Sequence, residues 1–154
     1  MYSIIQILDK EMKSKVANKI LRQLPEWFGI EESTNEYINT SRETEFLAAY
    51  DADELVGFIS VKFNNKYTAE IYVMGASKAY HNKGIGKKLL IEAEKLIKEQ
   101  GCKFLMVKTL GESHPDVHYK KTREFYKKLG FYPLEEIKEI WGEENPCLLM
   151  VKNL

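Results

Sequence analysis

Hydrophobic positions along the chain follow two periods, and the alternation between them predicts an ordered set of strands and helices. Ser3 to Leu8 reads as a first strand. From Glu11 to Leu24, Met12, Val16, Ile20 and Leu24 recur four apart, which places them on one helical face. Pro25 ends that helix, and Trp27-Phe28-Gly29-Ile30 follows as an aromatic turn. Ser33 or Asn35 is placed to cap a second helix toward Ser41. Glu45 to Tyr50 and Leu55 to Phe63 read as strands around the polar hairpin turn Asp51-Ala52-Asp53-Glu54. Asn64-Asn65-Lys66 turns the chain into a longer strand, Thr68 to Ser77. The short connections imply antiparallel pairing among these neighbours.

The clearest helix runs from about Gly84 to Gln100. Ile85, Leu89, Ala93, Leu96 and Ile97 form its apolar stripe, Leu90 widens it, and Gly101 closes it. Phe104 to Thr109 reads as a buried strand, and a loop through Gly111, His114 and Pro115 leads to a helix from about Tyr119 to Leu129. Strands near Phe131 to Ile140 and Leu148 to Lys152 complete the set. Helices interrupt the strands, so the expected class is α/β (α+β) with a mixed, mostly antiparallel central sheet of six to seven strands flanked by helices.

Composition narrows the options. The 154 residues suit one domain, 1–154, with a core that needs no disulfide or metal. Hydrophobic residues make up 44% and charged residues 30%, the balance of a globular domain. Twenty-three basic and 23 acidic side chains cancel, which argues against nucleic acid as a partner. Cys102 and Cys147 lack metal-ligand spacing, so no metal is expected and a reducing compartment is the simpler reading. Met1 to Gln6 lacks the basic region and long apolar stretch of a signal peptide, and no apolar run reaches membrane-spanning length. The expectation is a cytoplasmic protein with no membrane partner.

Candidate chemistry concentrates in two places. The first is a strand, then His81-Asn82-Lys83-Gly84-Ile85-Gly86, then a helix. A helix start leaves backbone N–H groups without partners, and its dipole adds partial positive charge. Gly84 and Gly86 permit close approach of a ligand and the backbone angles of an anion nest. Such a site suits a phosphate or pyrophosphate, with Lys83, Lys87 and Lys88 adding charge. A Walker loop would need glycine at His81 and Ser or Thr at Lys88, and a dinucleotide fingerprint would need glycine at Leu89, so both are rejected. A plain strand-to-helix turn is the competing structural reading. The second place is Phe125-Tyr126-Lys127-Lys128-Leu129-Gly130-Phe131, where Phe125, Leu129 and Phe131 read as core and Tyr126 offers a phenol.

Taken together, these segments resemble the GNAT superfamily of acetyl-CoA-dependent N-acetyltransferases. Glu70 through Leu90 resembles the family's cofactor motif, Gln/Arg-x-x-Gly-x-Gly/Ala, and Tyr126 to Phe131 its later Tyr-x-x-x-Gly-Phe motif. The resemblance extends from Phe46 to Lys152 and is weak before Phe46. It implies a fourth strand that splays from a parallel fifth at a bulge, so that the pantetheine arm of the acyl carrier enters the gap. The matching positions are Val73, Met74, Gly75 and Ala76, with Gly75 suited to the bulge and the Met74 N–H placed to polarise the thioester carbonyl. The implied pyrophosphate loop is His81, Asn82, Lys83, Gly84, Ile85, Gly86 and Lys87. Tyr126 matches the tyrosine that protonates, or hydrogen-bonds, the departing thiolate. Glu70 matches the general base of the histone-acetyltransferase branch. An alkyl amine with a pKa near ~10.4 must lose a proton before attack, and a carboxylate could take it through water. A solvent-facing or ion-paired Glu70 is the structural alternative.

Two positions depart from the family pattern. His81 replaces the usual glutamine or arginine, and Tyr119 stands where asparagine is frequent. The loop from Leu110 to Val117 looks longer than usual, and is either part of the acceptor pocket or a surface loop. On the acceptor side the resemblance points to Trp27, Phe28 and Tyr37, with Glu31, Glu32 and Glu36 nearby and Trp141, Glu143 and Glu144 on the last hairpin. Core aromatics and solvated acids are the bland alternative. His114 and His118 read as loop histidines, and Cys147 as a buried thiol. The expected reaction moves acetyl from acetyl-CoA to a primary amine of a small molecule or peptide, by direct attack in a ternary complex. The rival is a non-catalytic acyl-CoA-binding or sensing domain. Dimers are frequent in such families, so a homodimer stays open.

Overall fold

The computed structural model describes residues 2–154 and turns the alternating stretches into seven strands: β1 (Tyr2–Gln6), β2 (Glu45–Asp51), β3 (Glu54–Phe63), β4 (Thr68–Ala76), β5 (Phe104–Leu110), β6 (Tyr132–Ile137) and β7 (Cys147–Asn153). The helices are α1 (Lys10–Leu21), α2 (Glu31–Thr40), α3 (Ile85–Glu99), α4 (Val117–Lys128) and a short α5 (Lys138–Trp141). The strands form one sheet in the order β1-β2-β3-β4-β5-β7-β6. Every neighbouring pair is antiparallel except β4 and β5, which run parallel. The fold class and the parallel pair agree with the sequence expectation.

Each face of the sheet carries its own core. On one face α3 lays down Ile85, Leu89, Leu90, Ala93 and Ile97 beside Tyr126 and Phe131, against Ile59, Ile71, Leu105 and Val107. On the other, Val16, Ala17, Ile20 and Leu21 of α1 and Ile38 of α2 cover Phe46, Phe58 and Val73. Phe46 and Phe58 stack at 5.1 Å between centroids.

The parallel pair is the feature that matters for the site. β4 and β5 are in register only from Thr68↔Phe104 to Ile71↔Val107. Beyond those residues the strands separate, and backbone that would have closed the ladder faces a gap. A bulge begins the separation: Val61 opposes Ile71 and Ser60 opposes Val73, so Tyr72 has no opposite number on β3. The bulge turns both Tyr72 and Val73 toward α1 and α2, and returns Met74 to the α3 side. It lies at Tyr72, not at Gly75 as the sequence suggested. Gly75 serves packing instead, since a Cβ there would stand 3.0 Å from Leu24 Cδ1 and 3.2 Å from Ile20 Cγ2.

Several boundaries also differ from expectation. α1 stops at Leu21, ahead of Pro25, because the pre-proline residue resists helical angles and the last turn tightens through Leu24 N to Leu21 O at 3.0 Å. Its buried face therefore uses Ala17 and Leu21, while Met12 is exposed. Neither Ser33 nor Asn35 caps α2, which starts earlier, after Ile30. Asn35 accepts from Arg22 instead. α4 starts at Val117 because the Asp116 carboxylate caps the amides of His118 and Tyr119. The strand predicted to reach Ile140 ends at Ile137 and turns into α5.

Candidate functional site

The loop before α3 keeps its backbone amides free. Gly84 sits at φ +83° as the N-cap, and Asn82 also adopts a left-handed angle, φ +62°. Left-handed residues flanking a helix start turn successive N–H groups to one side. The first helical bond from this loop is Lys88 N to Gly84 O. Among the described residues, the amides of Asn82 through Lys87 have no protein acceptor. Asn82, Gly84, Ile85, Gly86 and Lys87 all line one cleft of about 650 Å³. Gly86 lets α4 pack closely, because a Cβ there would lie 3.0 Å from the ring of Phe125 and push it aside.

The lysines of the loop divide. Lys87 borders the cleft. Lys88 bonds the Tyr2 carbonyl, and Lys83 lies over the Tyr80 ring at 5.4 Å, outside the cleft wall. His81 does line the cleft, but its Nε2 is engaged by the Ala76 carbonyl at 2.8 Å and its ring meets the edge of Trp27 at 5.6 Å.

From the helix start the cleft follows the gap between β4 and β5. Val73, Met74, Gly75 and Ala76 form one wall, and Val107, Lys108 and Thr109 the other. Tyr126 closes the α3–α4 side. It is buried, its hydroxyl has no partner among the described residues, and burial pushes its pKa well above the usual phenol range. Tyr119 and Tyr37 push in the same direction. A phenol in that setting stays protonated and can give a proton to a stronger base. Phe125 and Leu129 line the cleft as well, rather than the deep core, while Phe131 is fully packed.

Three contacts hold this end of the gap open. Arg123, itself buried, donates to the Leu110 carbonyl at 2.6 Å and ties α4 to the end of β5. Tyr119 donates its hydroxyl to the Trp27 carbonyl at 2.7 Å, and the Trp27 indole donates to Thr122 Oγ1 at 3.1 Å. Trp27 thereby joins the α1–α2 turn to α4, with His118 edge-on at 4.9 Å. His118 lies in the first turn of α4 and lines the cleft, so it is not a loop histidine.

On the opposite face the cleft is aromatic. Trp27, Phe28, Tyr37, Tyr72 and Trp141 border it. Phe28, Tyr37 and Tyr72 contact edge to face in series, at 5.8 Å and 5.2 Å. Burial raises Tyr37 to a pKa of about 12. Glu70 faces this side, buried and outside the cleft wall. Asn64 Nδ2 donates to it at 2.9 Å, and Lys108 Nζ stands 3.6 Å from its other oxygen. It is therefore ion-paired and not solvent-facing. Glu143 and Glu144 stay out of the wall, and so does the loop from Leu110 to Val117, which Gly111 N ties to the Pro146 carbonyl at 2.8 Å.

Sequence reasoning missed Thr109, Lys108 and Arg123. Thr109 is buried, lines the cleft, and its Oγ1 has no hydrogen-bond partner among the described residues. All three carry polar groups in stretches read as core strand or plain helix. For Lys108 and Thr109, polarity within the apolar run of β5 was the available signal; Arg123, in a largely polar helix, left none. Among the described residues no group of three or more His, Cys, Asp or Glu is placed to hold a metal ion.

Comparison with known proteins fits this geometry. The chain is 49% identical over 49 residues to mycothiol acetyltransferase of Corynebacterium efficiens, a match covering 32% of this chain and 17% of that protein. It is 37% identical over 96 residues to spermidine N(1)-acetyltransferase of Thermoplasma acidophilum, covering 62% and 49%. The chain thus spans less than half the length of either curated relative. The solved structure of the PaiA N-acetyltransferase from Thermoplasma acidophilum in complex with coenzyme A has a TM-score of 0.77 at 20% identity, over 100% of this chain and 99% of that one. The family model described as acetyltransferase (GNAT) matches residues 8–131, from just past β1 through the Tyr126 motif to Phe131. A split parallel pair beside an unpartnered helix start, in a chain matched over most of its length, has one meaning: this protein belongs to the GNAT acetyltransferase family.

Proposed function

We propose that the protein transfers the acetyl group of acetyl-CoA to a primary amine, by direct attack within a ternary complex. The single observation that carries this reading is the row of unpartnered amides from Asn82 to Lys87, at the mouth of a cleft that leads to Tyr126. The pyrophosphate would accept from those amides, with Lys87 adding charge. The pantetheine arm would lie in the gap beside Val73 to Ala76. A relative crystallised with coenzyme A shares the fold, which supports the same cofactor here. Two free, buried cysteines suit a reducing cytoplasm. No helix among the described residues is long and apolar enough to cross a membrane.

In the reaction the amine nitrogen attacks the thioester carbon, and negative charge gathers on the carbonyl oxygen. The Met74 N–H, just past the Tyr72 bulge, serves as donor to that oxygen. The C–S bond then breaks, Tyr126 gives its proton to the departing sulfur, and the amine's surplus proton, passed through water in the cleft, restores the Tyr126 phenol. Alignment of the two reactants supplies much of the rate. The family resemblance offers Glu70 as a general base, with an ion-paired Glu70 as the alternative. Its pairing with Asn64 and Lys108 favours a different role, as the partner that holds Lys108 in the wall.

Thiol release from acetyl-CoA in the presence of a panel of amines tests the reading. Tyr126→Phe should lower kcat on the order of 100-fold and leave coenzyme A affinity nearly unchanged. Binding alone is a separate measurement. Acetyl-CoA at ~100 times its Kd should stabilise the fold by about 2.7 kcal/mol and raise Tm by roughly 5–10 °C. A shift without turnover on any amine would make the protein a sensor. No shift at all would remove the cofactor as well.

A further inference from the structure

Charge is distributed one way in the cleft wall. Lys87, Lys108, Lys121 and Lys128 border it, and no aspartate or glutamate does among the described residues. Lys87 belongs to the start of α3, and Lys121 and Lys128 to α4, so these three stand on the face proposed for the phosphates. Lys108 stands apart from them. Leu105 and Val107 of β5 pack into the α3–α4 core. Alternation along the strand sends Lys108 to the other face, where it meets Glu70.

On that face the cleft wall is aromatic, and Lys108, which borders the same cleft, is only partly neutralised. The Glu70 contact, 3.6 Å, is longer than a hydrogen bond, and Asn64 already donates to that carboxylate at 2.9 Å. None of the three Lys108 ammonium donors makes a hydrogen bond among the described residues, and 36% of the side chain is exposed. Glu36 and Glu70 both raise the pKa of Tyr37 and Tyr72, yet neither borders the cleft. An acceptor entering here finds rings and a cation.

We propose that the acceptor is a primary amine that also carries an anionic group, held by Lys108 beside the aromatic wall of Phe28, Tyr37 and Tyr72. The inference rests on the transferase reading above and specifies its substrate class. A polyamine fits poorly, because each further ammonium would meet Lys108 and find no carboxylate in the wall to replace its water. The recognised group is a carboxylate or a phosphate ester, which share charge and acceptor oxygens.

The test follows thiol release from acetyl-CoA with four sets of primary amines of matched size: amino acids, aminoalkyl phosphates, amino alcohols, and di- and polyamines. The highest kcat/KM should fall in one of the first two sets, and which one leads identifies the anionic group. Lys108→Met should lower kcat/KM for that set about 10- to 100-fold, mainly through KM, and change the amino alcohols by less than about 2-fold. Lys108→Arg should keep the preference, and Lys108→Glu should move it to the diamines. Melting curves check that the variants fold. The proposal is overturned if polyamines lead in the wild type, or if Lys108→Met slows all four sets alike. Loss of turnover with every set, while acetyl-CoA still raises Tm, would instead overturn the transferase reading and this one with it.

Discussion

Removing the Thr109 hydroxyl should act on stability rather than on function. The Oγ1 has no partner among the described residues, so Thr109→Val breaks none of their hydrogen bonds and takes away a buried polar group. Stability should hold or rise by up to about 1 kcal/mol in urea melts, while kcat/KM changes by less than about 2-fold, because the oxygen is closed off from the cleft. Glu70 invites a second test. As Lys108's partner, Glu70→Gln should raise the acceptor KM and leave the pH profile of kcat unchanged. As a general base it would lower kcat on the order of 100-fold. Tyr126 and the glycine loop were legible at this scale because their motifs are local. Lys108 and Thr109 were not, because the strand containing them reads as core. Only the separation of β4 from β5 past Ile71 and Val107 gives those side chains a cleft to face.

Two helix starts frame the site, and each depends on one residue. Gly84 holds φ +83° with open space around it, so Gly84→Ala meets no clash and costs backbone strain alone, about 1 kcal/mol. Its larger effect should be on the neighbouring amides: KM for acetyl-CoA should rise clearly more than the loss of stability accounts for. At α4, the Asp116 carboxylate caps the amides of His118 and Tyr119. Asp116→Ala should cost about 1 kcal/mol in a thermal melt. It should also loosen the Tyr119 to Trp27 contact that joins α4 to the α1–α2 turn. Periodicity placed both helices but started α4 late at Tyr119, because a cap is a single side chain and leaves no repeat. The start of α2 went wrong for a related reason. Ser33 and Asn35 are good caps in isolation, but Arg22 takes Asn35 from a neighbouring helix.

For the whole molecule, several buried tyrosines predict how stability changes in alkali. Tyr37, Tyr119 and Tyr126 have folded-state pKa values raised first by burial, in the case of Tyr37 to about 12 from an ordinary 10.0. The unfolded chain loses these protons first, so it binds fewer protons than the native state above about pH 10. Their contribution is complete below pH 10 and disappears as pH rises through the folded values. Urea midpoints should be flat from pH 8 to 9.5 and fall steeply toward pH 11.5, and Tyr37→Phe should lessen the slope. At this scale the order of strands and helices and the position of the glycine-bearing start of α3 followed from sequence alone, because hydrophobic period, glycine and proline act over a few residues. Only the tertiary structure could decide that the ladder between β4 and β5 stops at Ile71, that the bulge falls on Tyr72, and that Lys108 and Trp27 border one cleft. Those outcomes depend on how distant segments pack, and no local pattern encodes them.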